Sequence, residues 1–275
     1  MSNILFAVAV LGAMGVVFGV VLAIASRIFY VETDERLEPM IEALPSANCG
    51  GCGFSGCAAY AQAVIDGKAK IGLCAAGGDD AAQKMAAIMG VAPKKTERKV
   101  AMVKCRGYDA VKKGNYEGIH DCIAATKVTG NGPVVCQYGC LGFGTCVKAC
   151  KFDAMHIENG KAKVDADKCT GCMACAGVCP KNVIISVPYS ADIVVACNSI
   201  AKGKVTIRGC NIGCIGCMKC EKVCPNDAIH VKDNLASIDY TKCVSCGLCA
   251  EVCPRKLISD SNLRQDMDLA TTHQR

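Results

Sequence analysis

The sequence predicts an α+β protein of small cysteine-rich domains behind one N-terminal apolar helix. Three observations predict it. Cysteine supplies 24 of 275 residues, and most of it recurs at short fixed spacings between 136 and 253. Those spacings repeat once along the chain, which marks two tandem copies of one small unit. Residues Ile4–Ser26 form an uncharged apolar run of 23 residues, long enough to cross a bilayer with some tilt.

The parts expected in order are an anchor over 1–27, a helical cysteine domain over 28–90 and a basic connecting segment over 91–132. Two cysteine modules over 133–190 and 191–260 follow, then a disordered polar tail over 261–275.

At the N-terminus, Ala23-Ile24-Ala25 resembles the cleavage site of a signal peptide. Against that reading, no Lys or Arg precedes the apolar run, and the run exceeds an ordinary signal core. A single-pass anchor is expected. Arg27 is the first cation, which places the C-terminal bulk on the cytoplasmic side of the cell (inner) membrane. Gly15 and Gly19 form a GxxxG that suits a helix contact but is also common in membrane helices.

Val31–Ala43 reads as a short linker or helix. The next pattern is Cys49-x2-Cys52-x4-Cys57-x16-Cys74. Glycines 50, 51, 53 and 56 permit tight wrapping. The alanine-rich stretch from Cys57 to Lys70 reads as a helix with Cys57 at its start, where backbone N–H groups favour a thiolate. Four cysteines at such spacing hold either zinc or an iron–sulfur cluster. A second helix is expected over Asp79–Met89. Val91–Lys113 carries Lys94, Lys95, Arg98, Lys99, Lys104, Arg106, Lys112 and Lys113. It reads as a solvated face, or as a dock for an acidic redox protein.

The blocks that follow contain three C-x2-C-x2-C-x3-C-P runs and one variant. This is the run of bacterial two-cluster ferredoxins, in which three cysteines hold one [4Fe–4S] cluster and the fourth holds the other. Cys140, Cys146 and Cys150 align with Cys214, Cys220 and Cys224 at a constant offset of 74 residues. Cys169, Cys172, Cys175 and Cys179 align likewise with Cys243, Cys246, Cys249 and Cys253. In each copy a hairpin is expected between the motifs, at 154–164 with an Asn159-Gly160 turn and at 228–239 with Asp233-Asn234.

The copies differ where Phe143 stands opposite Cys217. Cys136, four residues before Cys140, is expected to replace the missing ligand. The ligand sets are then Cys136, Cys140, Cys146 with Cys179, and Cys150 with Cys169, Cys172, Cys175. In the second module they are Cys214, Cys217, Cys220 with Cys253, and Cys224 with Cys243, Cys246, Cys249. Lys151 replaces the proline after Cys150, a departure that leaves the ligands intact. Between the modules, Ile193–Ala196 is expected to pair as a strand with Val205–Ile207.

Four cysteines lie outside these motifs: Cys105, Cys122, Cys197 and Cys210. They are expected to bind a sixth [4Fe–4S] cluster; the alternative is buried inert thiols. A secreted disulfide framework would not need repeated CxxCxxCxxxCP runs. The formal charge of +6 counts cysteine as neutral. A [4Fe–4S] core with four thiolates carries roughly −2, so the basic balance is no argument for nucleic acid. No glycine-rich nucleotide loop follows a strand, and no nucleophile elbow or flavin signature occurs. His156 and His230 occupy equivalent hairpin positions, and His120 and His273 form no metal spacing. No bond-making catalytic site is expected.

With anchor, first cysteine domain and twin modules in place, the chain resembles the B subunit of the Rnf complexes, the ion-translocating ferredoxin:NAD+ oxidoreductases, in its longer form. The resemblance spans Ile4 to about Ile258 and rests on NCGGCGFSGC, CLGFGTCVKAC and CPKNVI. It implies a subunit that takes electrons from soluble ferredoxin and relays them to membrane subunits carrying iron–sulfur and flavin centres. An NADH-handling subunit completes the circuit, and Na+ or H+ is moved. The Cys49–Cys74 domain would lie nearest the membrane and the modules on the cytoplasmic side. A polyferredoxin subunit of another membrane hydrogenase or reductase is the competing reading. A structural zinc-binding interaction protein, or an enzyme with an open cluster site, is a more distant one.

Overall fold

A computed structural model describes residues 2–28, 34–92, 97–107, 110–114 and 116–259. The expected disordered tail, and Lys94 and Lys95 of the basic segment, lie outside them.

Helix α1 (Ser2–Ile28) contains the apolar run. Its Val10–Arg27 window has a mean hydropathy of 2.0 and none of it is buried, so it is long and apolar enough to cross a membrane. Among the described residues nothing approaches within 4 Å of a side-chain carbon placed on Gly15 or Gly19. Three short helices then build a domain of their own: α2 (Leu37–Glu42), α3 (Cys57–Ile65) and α4 (Gly78–Met89). Met40, Tyr60, Val64 and Met85 are its buried core. Helix α3 starts at Cys57 as expected but ends at Ile65, five residues short of Lys70. The left-handed Gly67 turns the chain there.

Strand β1 (Lys99–Val103) follows, then α5 (Cys122–Lys127) and α6 (Thr145–Ala149). The first hairpin is β2 (Met155–Glu158) and β3 (Lys161–Val164), with Asn159 and Gly160 both left-handed, as a two-residue I′ turn requires. Helix α7 (Ala174–Gly177) and strand β4 (Ile184–Pro188) close the first module. The second has β5 (Val194–Val195), α8 (Gly203–Gly209), α9 (Lys219–Val223), the hairpin β6 (Ile229–Lys232) with β7 (Leu235–Ile238), α10 (Leu248–Glu251) and β8 (Ile258–Ser259).

Two expectations are corrected. Val205–Ile207 lies in helix α8, not in a strand. Strand β5 pairs instead with β8, antiparallel, Val195 opposite Ile258. The reason is burial: β5 needs an apolar partner, and Leu257-Ile258 supplies one while Val205 and Ile207 face outwards. The basic segment is also more than a solvated face. Strand β1 pairs antiparallel with β4 through five residue pairs, from Lys99–Pro188 to Val103–Ile184. Val100 and Val187 are fully buried there. Arg98 donates to the carbonyls of Ala166, Asp167 and Cys169 and stacks on Tyr189 at 4.1 Å. This arginine is a brace of the first module.

Candidate iron–sulfur sites

Backbone N–H groups of the loops and strands around the cysteines point towards the sulfurs, with contacts at 3.3–3.5 Å. Ala154 and Ala228, equivalent in the repeat, donate to Cys150 and Cys224. Ala101 and Gly171 donate to Cys169, and Ala162 donates to Cys140. Ser199 and Cys214 donate to Cys197. Amides aimed at sulfur stabilise thiolate and tune cluster potentials. At Cys224 burial opposes ionisation, but the amides of Ala228, Asn226 and Ile229 outweigh it and lower the thiol.

The structure brings together Cys49, Cys52, Cys57 and Cys74 around one interstice. Asn48 positions this loop: its side-chain oxygen accepts from the Cys57 amide at 2.8 Å, capping α3. The Tyr60 hydroxyl donates to Lys70 O and accepts from Leu73 N, fixing the approach to Cys74. Cys214, Cys217, Cys220 and Cys253 surround a second interstice, and Cys224, Cys243, Cys246 and Cys249 a third. Cys150, Cys169 and Cys172 each press on the Cys175 thiol, which burial first of all pushes up to about 11.

Of the remaining eight cysteines, two group differently from their spacing in sequence. Cys122, not Cys136, joins Cys140, Cys146 and Cys179. Cys136 instead lines a cavity of about 380 Å³ with Cys105, Cys197 and Cys210. The two cysteines have exchanged places, for a local reason. Asp121 caps α5, accepting from Ile123 and Ala124 at 2.8 and 2.9 Å. The Thr145 hydroxyl donates to Asp121 at 2.9 Å and accepts from the Cys122 amide at 2.7 Å. Cys122 is thereby tied to the residue before Cys146. Phe143, standing where the second copy has Cys217, packs against Cys122, Ala125 and Leu141. The signal in sequence was Asp121 before the helix-forming run CIAATK. Cys136 is meanwhile drawn away by backbone pairing of Val135 with Val111 and of Val111 with Gly209.

That cavity lies between the modules. A side-chain carbon on Gly139 would meet the sulfurs of Cys105 and Cys136 at 3.5 and 3.6 Å. One on Gly107 would meet Cys210 and Cys105 at 3.3 and 3.9 Å. Glycine therefore keeps the space beside the sulfurs open. Lys161 lines it, only 4 % exposed, and donates to Cys140 O at 2.7 Å. Burial lowers the Lys104 ammonium beside it, and the Cys197 and Cys214 thiolates oppose that. Buried cations, open glycine cradles and amides aimed at sulfur suit a compact anionic group. The cysteines fit [4Fe–4S] clusters, each iron taking one thiolate; such clusters would supply one-electron transfer.

Small α+β modules with these sulfur cages define an iron–sulfur electron-transfer protein. Family models agree. Residues 44–76 match a family described as "Putative Fe-S cluster", 162–185 a 4Fe-4S binding domain and 213–257 a 4Fe-4S dicluster domain. The chain is 45% identical over 245 residues to the B subunit of the Na(+)-translocating ferredoxin:NAD(+) oxidoreductase complex of Acetobacterium woodii, covering 88% of this chain and 73% of that one. It is 43% identical to the proton-translocating counterpart of Clostridium ljungdahlii, over 87% and 85% of the two chains. It is 40% identical to the B subunit of the ion-translocating oxidoreductase complex of Methanosarcina acetivorans, over 88% and 93%. The chain belongs to this family, the B subunits of ion-translocating ferredoxin:NAD+ oxidoreductase complexes. It is an iron–sulfur electron-transfer component of a multi-subunit, membrane-associated complex.

Proposed function

We propose that this chain relays single electrons from soluble reduced ferredoxin through six [4Fe–4S] sites to the membrane subunits of its complex, which couple the flow to Na+ or H+ movement. Helix α1 spans the membrane once and the cysteine domains face the cytoplasm. The ligand sets are those grouped above, with Cys122 in the first module and Cys136 in the site between modules.

The observation that carries this reading is the continuity of the sites. The Cys49–Cys74 site has Cys172 of the next set in its wall. Cys175 of that set lies close enough to act on Cys146 of the third. Cys105 of the inter-module site acts on Cys140. The Cys214 amide, from the fifth set, donates to Cys197 of the inter-module site. The fifth and sixth sets share one core. The far end is open: Cys217 and Cys246 are the two exposed cysteines among the described residues, flanked by exposed Met218, Val244 and Leu248. An acidic donor with an apolar contact fits there, beside Lys219, Lys222 and Lys242.

The test is rapid mixing of anaerobic protein with reduced ferredoxin while following cluster bleaching. The account expects bleaching whose rate falls with ionic strength. Absence of bleaching by ferredoxin, in protein that dithionite does bleach, would overturn the donor assignment.

A further inference from the structure

We propose that Gly51 and Lys151 form the junction that seats the Cys49–Cys74 domain on the first ferredoxin module and so sets the electron path between them. The proposal rests on the iron–sulfur reading above.

The internal repeat isolates Lys151. The other three motif ends are Cys179-Pro180, Cys224-Pro225 and Cys253-Pro254. The turn after the cysteine is the same with or without proline. Asp153 and Asp227 have φ of 50° and 49°, and the Ala154 and Ala228 amides reach Cys150 and Cys224 at 3.4 and 3.3 Å. The loop therefore does not require what stands at 151. Its ammonium instead crosses to the other domain and donates to Ala47 O at 3.3 Å and Asn48 O at 3.4 Å. Those carbonyls belong to the loop that Asn48 pins to α3.

Gly51 is isolated by contact. Its neighbours Gly50 and Gly53 are left-handed, with φ of 72° and 87°, whereas Gly51 is not. Conformation does not demand glycine at 51; distance does. A side-chain carbon there would lie 2.6 Å from the Cys172 carbonyl oxygen and 3.0 Å from its Cα and Cβ. Cys172 is half-buried, while its repeat equivalent, Cys246, is exposed. The difference matches the domain seated over the first copy. Clusters held by the Cys172 and Cys49 sets would face each other across this contact and would supply transfer of a single electron between them. No bond forms or breaks and no proton moves.

The experiment uses the full chain, anaerobic in detergent, as wild type, Lys151→Ala, Lys151→Arg and Gly51→Val. Iron per chain, amide hydrogen exchange at 46–52 and 170–173, and the magnetic interaction between reduced clusters are measured. Lys151→Ala is expected to speed exchange about threefold, since the bond is exposed. Gly51→Val is expected to speed it about tenfold and to weaken the magnetic interaction, with iron retained. Lys151→Arg is expected to behave as wild type. Unchanged exchange and unchanged magnetic interaction in both disruptive variants would overturn the junction. Should Gly51→Val lose its iron, Lys151→Ala decides. A wild type without iron would sink the function reading, and the exchange comparison would still judge the contact.

Discussion

The Cys146 thiol is pushed up to about 12, by burial first and by Cys140 and Cys122 next. Burial likewise pushes Cys220 and Cys249 up to about 11. Such thiols stay protonated at neutral pH until iron displaces the proton, so cluster assembly is expected to release protons. Lys161 works on the other side of this balance. Its buried ammonium lines the inter-module cavity and favours negative charge. Reduction adds a negative charge, so Lys161→Met is expected to lower the potential of that site by roughly 60 mV, a tenfold change for one electron. A redox titration followed by EPR checks it, and an unchanged set of potentials would count against the assignment. The exchange of Cys122 and Cys136 gives a second prediction at this scale. Cys136→Ser is expected to remove about four iron from the inter-module site and leave both ferredoxin modules loaded. Cys122→Ser is expected to remove about four iron from the first module instead. The reverse pattern would restore the grouping that spacing alone implies. Spacing could identify which residues carry sulfur chemistry, because ligand runs are local. It could not place Cys122, because the Asp121–Thr145 link joins residues 24 apart through side chains.

At the scale of elements, hairpins and helices follow from local chemistry and were legible. Asn159-Gly160 and Asp233-Asn234 adopt the left-handed conformations their residue types favour. Helix α4 runs where its alanines and first-turn aspartates put it, and its left-handed Gly90 ends it. Pairings between distant strands were not legible. Strand β1 sits 81 to 89 residues from its partners, from Val103–Ile184 to Lys99–Pro188, and carries no mark of belonging to the first module beyond its apolar run. Its basic residues looked like surface because Arg98 and Lys104 spend their polar ends on carbonyls and on a thiolate-rich cavity. A fragment of the first module beginning at 97 is therefore expected to be soluble and to load two clusters. One beginning at 133 would expose Ile184 and Val187 and is expected to aggregate. Equal solubility of the two fragments would contradict the role of β1.

For the whole molecule, cysteines are part of the cores they serve. Cys140, Cys146, Cys169 and Cys175 lie in the buried cluster of the first module, and Cys197, Cys214 and Cys220 in that of the second. With no tryptophan and few aromatic residues, these cores depend on what the cysteines hold. In the proposed relay six cysteine groups follow one another, from the domain behind α1 to the module that carries the exposed Cys217 and Cys246. The family, the long apolar helix and the cluster class were legible because each is written in contiguous residues. The grouping of Cys122 and Cys136 was not, because it depends on how distant segments pack. The most direct measurement is iron and acid-labile sulfide per chain on anaerobically purified full-length protein. The account predicts about 24 of each, six [4Fe–4S] clusters of four iron and four sulfide. A content of about 20 would contradict the inter-module site, and zinc without iron would contradict the electron relay itself.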